Sequence, residues 1–229
     1  MLASIAWKNI WRNKVRSFIV IAAVMLGLWA GAFILAYVFG MIDQRLKDAI
    51  GNEVSHLQLH HPEFNKDFDP KFYVDAGYHI LDDLKSDNRV KAATGRVLVQ
   101  GMVASATSST GGKFVGIDPE QEDLVTSFAK NIIEGEYLSG DDKNKIIIGQ
   151  RLADKLKVKL RSKIVLTFQD VDGTIVAGAF RITGIFRSYN SNLETNNLYI
   201  NRRDLAQLLK TEGEVQEIAV LLNDANEVD

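Results

Sequence analysis

The sequence has 229 residues and no cysteine. That excludes a disulfide framework, a thiol nucleophile and a thiolate metal site together, and says little about compartment. A dominant charge is missing too: 27 Lys and Arg stand against 29 Asp and Glu, a formal net charge of −2. A nucleic-acid binder would show a basic patch, so no nucleic-acid partner is expected. No G-x-S-x-G nucleophile elbow occurs. "SSTGGK" (108–113) lacks the spacing of a phosphate loop, Phe114 follows its lysine, and it reads as a hairpin tip. "DVDG" (170–173) opens like a calcium loop, but the twelfth position, which needs an acid, is Arg181. His56, His60 and His61 invite a metal reading. On a strand, however, His56 and His60 stand about 13 Å apart and His61 faces the other way. Solvated strand histidines are expected there. Neighbouring acids such as Asp82–Asp83 and Asp141–Asp142 diverge on a helix, so a solvated face is expected. The sequence nominates no catalytic residue, cofactor or metal, and a non-enzymatic chain is expected.

What is present is concentrated at the start. From Phe18 to Ile42 no side chain is charged. A helix of about 25 residues is roughly 37 Å long, against about 30 Å of hydrocarbon, so it can span with some tilt. A signal-peptide core is shorter and ends at a small-residue cleavage site, which "LAYVFGMIDQ" does not offer. A soluble core helix of this length would keep a polar stripe. Residues 18–42, with Leu28 near the middle, are therefore read as a transmembrane helix. Lys8, Arg12, Lys14 and Arg16 precede it without an acid among them, whereas its far flank mixes Asp43, Arg45, Lys47 and Asp48. The positive-inside rule places the N-terminus in the cytoplasm and residues 43–229 outside. In the leader, Lys8, Arg12 and Arg16 stack at i, i+4, i+8, and Trp7 and Trp11 sit on another face. This describes an amphipathic helix over 1–17 lying in the headgroup layer.

After Asp43, strand and helix signals alternate without a regular βαβ rhythm, which argues an α+β domain. "HLQLHH" alternates with period two and is followed by a loop at 62–71. "VDAGYHILDDLKS" carries Val74, Tyr78, Leu81 and Leu84 at helical spacing. "RVLVQGMVAS" and "KFVGI" read as strands flanking the turn "TSSTGG". In "DPEQ", Asp118 is an N-cap and Pro119 the first helical residue. "KIIIG" is a buried strand, and "GQRLADKLK" puts Ile148, Leu152 and Leu156 on one face. "SKIVLTFQ" and "TIVAGAFRITGIF" flank an Asp-Gly turn, a hairpin signal. "NLYI" leads into a helix capped by Asn201, and "VQEIAVLL" closes the domain. The segments 62–71 and 187–196 are expected to be hinges or subdomain crossings.

In this order the pieces resemble the MacB/FtsX-type ABC transporter permeases, and within them the lipoprotein-releasing, Lol-like subset. The resemblance rests on "AWKNIWRNKVRS", "HLQLHHPEF", "FVGIDPEQE", "IIEGEYLSGDDKNKIIIGQRLADKLKV", "FRITGIF" and "VQEIAVLL". It implies a bacterial inner-membrane protein with four membrane helices. The large extracytoplasmic domain after the first helix would combine a porter-like part with a smaller Sabre-like one at roughly 119–190. The present chain would then be the N-terminal part of such a permease.

The resemblance also implies partners: a cytoplasmic ABC ATPase, a second permease copy or paralogue in a dimer, and an extracytoplasmic chaperone or lipoprotein. The function implied is coupling of ATP hydrolysis to movements outside the membrane that release or export a substrate. A single-span anchored binding or sensor domain is the alternative. The hairpin tip Asp170, Val171, Asp172, Gly173 and Thr174 is similar in place to a partner-contacting loop, and "TIVAGAF" after it is small and apolar where a solvated strand would be polar. A plain Asp-Gly turn is the other reading of the tip. Where the family often has "LGVKVGD", this chain has "LKVKLRS" (156–162), so Lys157 and Arg161 would meet a steric penalty in any tight turn of positive φ.

Overall fold

The computed structural model describes residues 11–49, 55–188 and 190–223, and for 45–49 the backbone alone. Two compact units result, Met1–Lys47 and Asp48–Asp229.

The first unit is dominated by helix α1, Lys14–Ala49. Its segment Lys14–Gln44 is long and apolar enough to cross a membrane, and its most apolar stretch is 0% buried. The cations Lys14 and Arg16 thus belong to the same continuous helix as the apolar run.

The second unit contains nine strands and six α-helices among the described residues. They are β1 (Leu57–His60), α2 (Phe64–Asp67), α3 (Gly77–Ser86), β2 (Val90–Ala104), β3 (Ser109–Ile117), α4 (Pro119–Val125) and β4 (Ile132–Gly135). There follow β5 (Lys145–Gly149), α5 (Gln150–Leu156), β6 (Lys163–Gln169), β7 (Ile175–Phe186), α6 (Ser191–Asn196), β8 (Asn197–Asn201), α7 (Arg202–Leu209) and β9 (Glu217–Leu222). A mixed α+β domain after one apolar helix is what the sequence led us to expect.

The sheet runs β1-β9-β2-β3-β8-β5-β7-β4, with β6 pairing both β2 and β7. The last pairing matters most, because it closes the ring β2-β3-β8-β5-β7-β6 into a barrel. Strand alternation fills that ring. Val97, Val99 and Val103 of β2, Phe114 of β3 and Ile146 and Ile148 of β5 all join one core. Leu152 and Leu156 of α5 and Leu205 and Leu209 of α7 add to it. β2 serves two sheets. Its first half, Val90–Arg96, pairs with β9, and its second half pairs with β3 and, at Met102–Ala104, with β6. The small sheet β1-β9-β2 has its own core, in which Leu81 of α3 meets Ile218 and Val220.

Several local expectations change. The hairpin between β2 and β3 turns over 105–108, where Ser105 accepts from the backbone N–H of Ser108 through Oγ at 3.1 Å. "STGGK" is therefore strand rather than turn. Crowding favours glycine at 112, where a Cβ would sit 2.7 Å from Cδ1 of the buried Leu198. The segments 62–71 and 187–196 are not plain crossings, because each carries a short helix, pinned by Phe64 at 0% and Leu193 at 3% exposure. Nor are the histidines solvated; each is half-buried and engaged. Leu222 N donates to His56 Nδ1 at 3.0 Å, His60 stacks on Phe64, and His61 stacks on Phe72. Asp118 caps α4 as expected, accepting from Gln121 N, and Asn201 caps α7, accepting from Arg203 N. Lys157 and Arg161 do adopt positive φ, 55° and 68°. The tight turns survive without glycine, and α5 still ends in a Schellman-type closure from Val158 N to Ala153 O.

Candidate functional site

Among the anchor positions, Phe18, Leu28 and Ile42 are exposed on α1, at 72, 71 and 56%. Trp11, Arg12 and Arg16 are exposed as well, with the Lys14 ammonium 5.6 Å from the Trp11 ring centre. Trp7 lies outside the described residues.

The five hairpin-tip residues split by role. Asp170 is buried, and its Oδ1 accepts from Asp172 N and Thr174 N at 2.9 Å each. Its Oδ2 pairs with Lys210 at 2.8 Å, and the same ammonium reaches Asp172 at 2.7 Å. The Lys210 hydrogen bond holds the Asp170 carboxyl below the usual range; burial opposes this, and the Thr174 and Asp172 N–H groups reinforce it. Asp170 therefore builds the turn. Val171 is half-buried, while Asp172, Gly173 and Thr174 are exposed; Gly173 takes the φ of +76° that the turn needs. The tip borders an open groove of about 710 Å³ between β2, β6 and the 67–71 segment. Beside it the outer wall of β6 and β7 is bare. Ile175 is 71% and Val165 41% exposed, Ala177 and Ala179 are exposed, and Met102 of β2 lies alongside.

Sequence reasoning did not find the other notable cluster. Arg96, on β2 at the last rung before the barrel, is fully buried with two carboxylates. Its Nε and Nη2 donate to Glu122 of α4 at 3.0 and 2.6 Å, and its Nη1 donates to Glu217 of β9. Burial alone would lower the Arg96 guanidinium, but the charges of Glu122 and Glu217 hold it well above its ordinary value. Thr126 Oγ1 donates to Glu122 at 3.0 Å, and Gln58 Nε2 approaches Glu217 at 3.4 Å. The cluster borders a cavity of about 230 Å³ on the outer face of β2, β3 and β8, roofed by α2 and Phe128. The signal available in the sequence was a single charge inside each of two apolar strands, "RVLV" and "QEIAV".

No group of three His, Cys, Asp or Glu side chains able to hold a metal is present among the described residues. The buried Glu122 and Glu217 are spent on Arg96, the buried Glu194 on Arg151, and the tip acids on Lys210. An arrangement of fixed charges such as this can recognise and hold a polar partner.

Comparison with known proteins bears on what such a fold is used for. No curated protein matches the chain. Among solved structures, the extracellular domain of the noncanonic ABC-type transporter YknZ from Gram-positive bacteria is similar. It has 16% identity and a TM-score of 0.52, covering 75% of this chain and 84% of that one. The periplasmic region of MacB from Actinobacillus actinomycetemcomitans matches at 14% identity and a TM-score of 0.48, covering 66% of each chain. At these identities the likeness to YknZ shows a shared fold. The MacB-like periplasmic core domain family matches residues 17–229, nearly the whole sequence. The chain belongs to the MacB-like periplasmic core domain family of the ABC transporter permeases.

Proposed function

We propose that the chain is the anchor and outer domain of a permease subunit that works with a cytoplasmic ABC ATPase as a dimer of permeases. ATP hydrolysis by the partner moves the outer domain, and that movement releases or exports a substrate, with lipoproteins the leading class. The observation that carries this reading is the family match from residue 17 onward, joined to an apolar helix none of whose most apolar stretch is buried. In the bacterial inner membrane, residues 18–42 span, 1–17 lie in the inner headgroup layer, and 43–229 face outward. The flank of Arg12, Lys14 and Arg16 supports this orientation. The Sabre-like part, at roughly 119–190, includes the β6–β7 hairpin, whose tip 170–174 would meet a soluble extracytoplasmic chaperone. Exposure of Asp172, Gly173 and Thr174 beside a bare apolar wall supports that role.

The lack of native cysteine makes the test clean. Ser109 is exposed on β3. A Ser109→Cys variant should react with an impermeant thiol reagent in intact spheroplasts, and a photo-crosslinker at Val171 should capture a soluble extracytoplasmic protein. Labelling only after membrane lysis would reverse the topology. Labelling without any crosslink would leave the tip a plain turn.

A further inference from the structure

The cavity beside Arg96 has opposite needs at its two ends. Its floor is a ladder of outward-facing residues. Leu98, Val115 and Tyr199 form one rung, and Gln100, Lys113 and Asn197 the next. Arg96 and Glu217 form the rung on the other side of Leu98. The cavity is therefore apolar and aromatic in the middle, with Phe128 above, and polar at both ends.

At the Glu217 end two buried carboxylates, Glu122 and Glu217, share the Arg96 guanidinium among the described residues, in a place where unpaired charge is costly. Among the described residues, Glu217 Oε2 has His60 Nε2 within ion-pair distance, at 3.5 Å. The Nδ1 of the same histidine is buried without a hydrogen-bond partner among the described residues. At the Lys113 end the position is reversed. The Lys113 ammonium has no carboxylate within ion-pair distance among the described residues and rests 5.5 Å from the Phe68 ring centre. The side-chain amide of Asn197 lies next to it on the same rung.

From this geometry we infer that the cavity is a binding site for a small zwitterion whose cation and carboxylate are separated by a short apolar or aromatic middle. The ligand's ammonium would take Glu217 Oε2, and its carboxylate would take Lys113 with Asn197. Phe68, Phe128 and Tyr199 would line its middle. Charge-assisted hydrogen bonds at both ends make such recognition stronger than that of a neutral molecule. A free α-amino acid holds its charges too close together for this arrangement. The polar rungs are four residues apart along β2, about 13 Å, and a dipeptide, with amine and carboxylate about 6 Å apart and a hydrogen bond of about 3 Å at each end, is the simplest molecule to bridge them. The assignment rests on the cavity alone and stands apart from the transport reading above.

The experiment uses the whole chain in detergent and three probes: alanyl-phenylalanine, its N-acetyl form and its C-terminal amide. Calorimetric titration should show saturable binding of the free dipeptide, and each capped form should bind at least about tenfold more weakly, a loss of about 1.4 kcal/mol or more. Lys113→Met, at the cavity's polar end, should remove the preference for the free acid over the amide while circular dichroism stays unchanged. If that variant does not fold, Asn197→Asp serves instead and should weaken the free acid more than the amide. No saturation at about 10 mM would overturn the inference, since the cavity then holds water only. So would a carboxylate preference that survives the substitution in whichever of the two variants folds.

Discussion

The barrel has two outer walls built by the same alternation, and they look nothing alike. On one side, Tyr199 of β8 and Phe186 of β7 meet Phe128 with ring centres 4.2 and 5.1 Å away. Phe64 of α2 and Leu193 of α6 cover the same wall. On the other side, Val165, Ala177 and Ala179 stand uncovered on β6 and β7. Both walls carry apolar side chains, so apolarity alone does not mark the core here. The covered wall spends large rings on neighbouring segments of its own chain, whereas the centre of the bare wall, Val165, Ala177 and Ala179, is short-chained and bounded by Ile175, Met102, Lys163 and Arg181. A wall of that kind costs little to expose and leaves a partner room to approach the backbone closely.

The comparison can be broken most easily at its centre. Phe128→Ala should cost about 3–5 kcal/mol, the usual range for removing a buried aromatic side chain, read from a denaturant melt. A loss below about 1 kcal/mol would mean that the covered wall is not a true second core. Acid should act next, at the end of the bare wall. The Asp170 carboxyl is held below its ordinary value of about 3.9. Its stabilising contribution is therefore complete above that pH and is lost as the pH falls through the lower folded-state value. Amide exchange at Asp172 and Thr174 should accelerate there while the barrel core stays protected, and Asp170→Asn should show fast exchange at every pH. The smallest effect belongs to the bare wall itself. Val165→Thr should shift stability by no more than about 0.5 kcal/mol, and a loss above about 2 kcal/mol would show that this wall is packed after all.

How far the sequence reveals this architecture depends on the distance over which each signal acts. The anchor, the Asp-Gly hairpin and the caps at Asp118 and Asn201 are written within a few residues, and all are legible. Barrel closure is not. It depends on β6 meeting β2 at only Met102–Ala104, and on the parallel pairing of β3 with β8. Neither leaves a local pattern. The Arg96 cluster is hidden for the same reason, since Glu217 follows Arg96 by 121 positions. Glycine misleads in "SSTGG" because crowding selects for it as strongly as turning does. Lys157 and Arg161 mislead in the opposite sense: a side chain can take positive φ where the surrounding hydrogen bonds enforce the turn.

One feature of the small sheet carries a mechanical meaning. The chain enters at β1 and leaves after β9, and the two strands lie side by side, with His56 N donating to Val220 O and Leu222 N to His56 Nδ1. The start of β1 and the end of β9 therefore lie at the same edge of the small sheet. Drawn apart, such ends unzip one hydrogen bond at a time, and β1 has four residues with which to resist. Displaced together, they leave the bonds between them unstrained, and the load passes from β9 to β2, which is shared between the small sheet and the barrel. A four-residue pairing of this kind resists a common displacement far better than a diverging one.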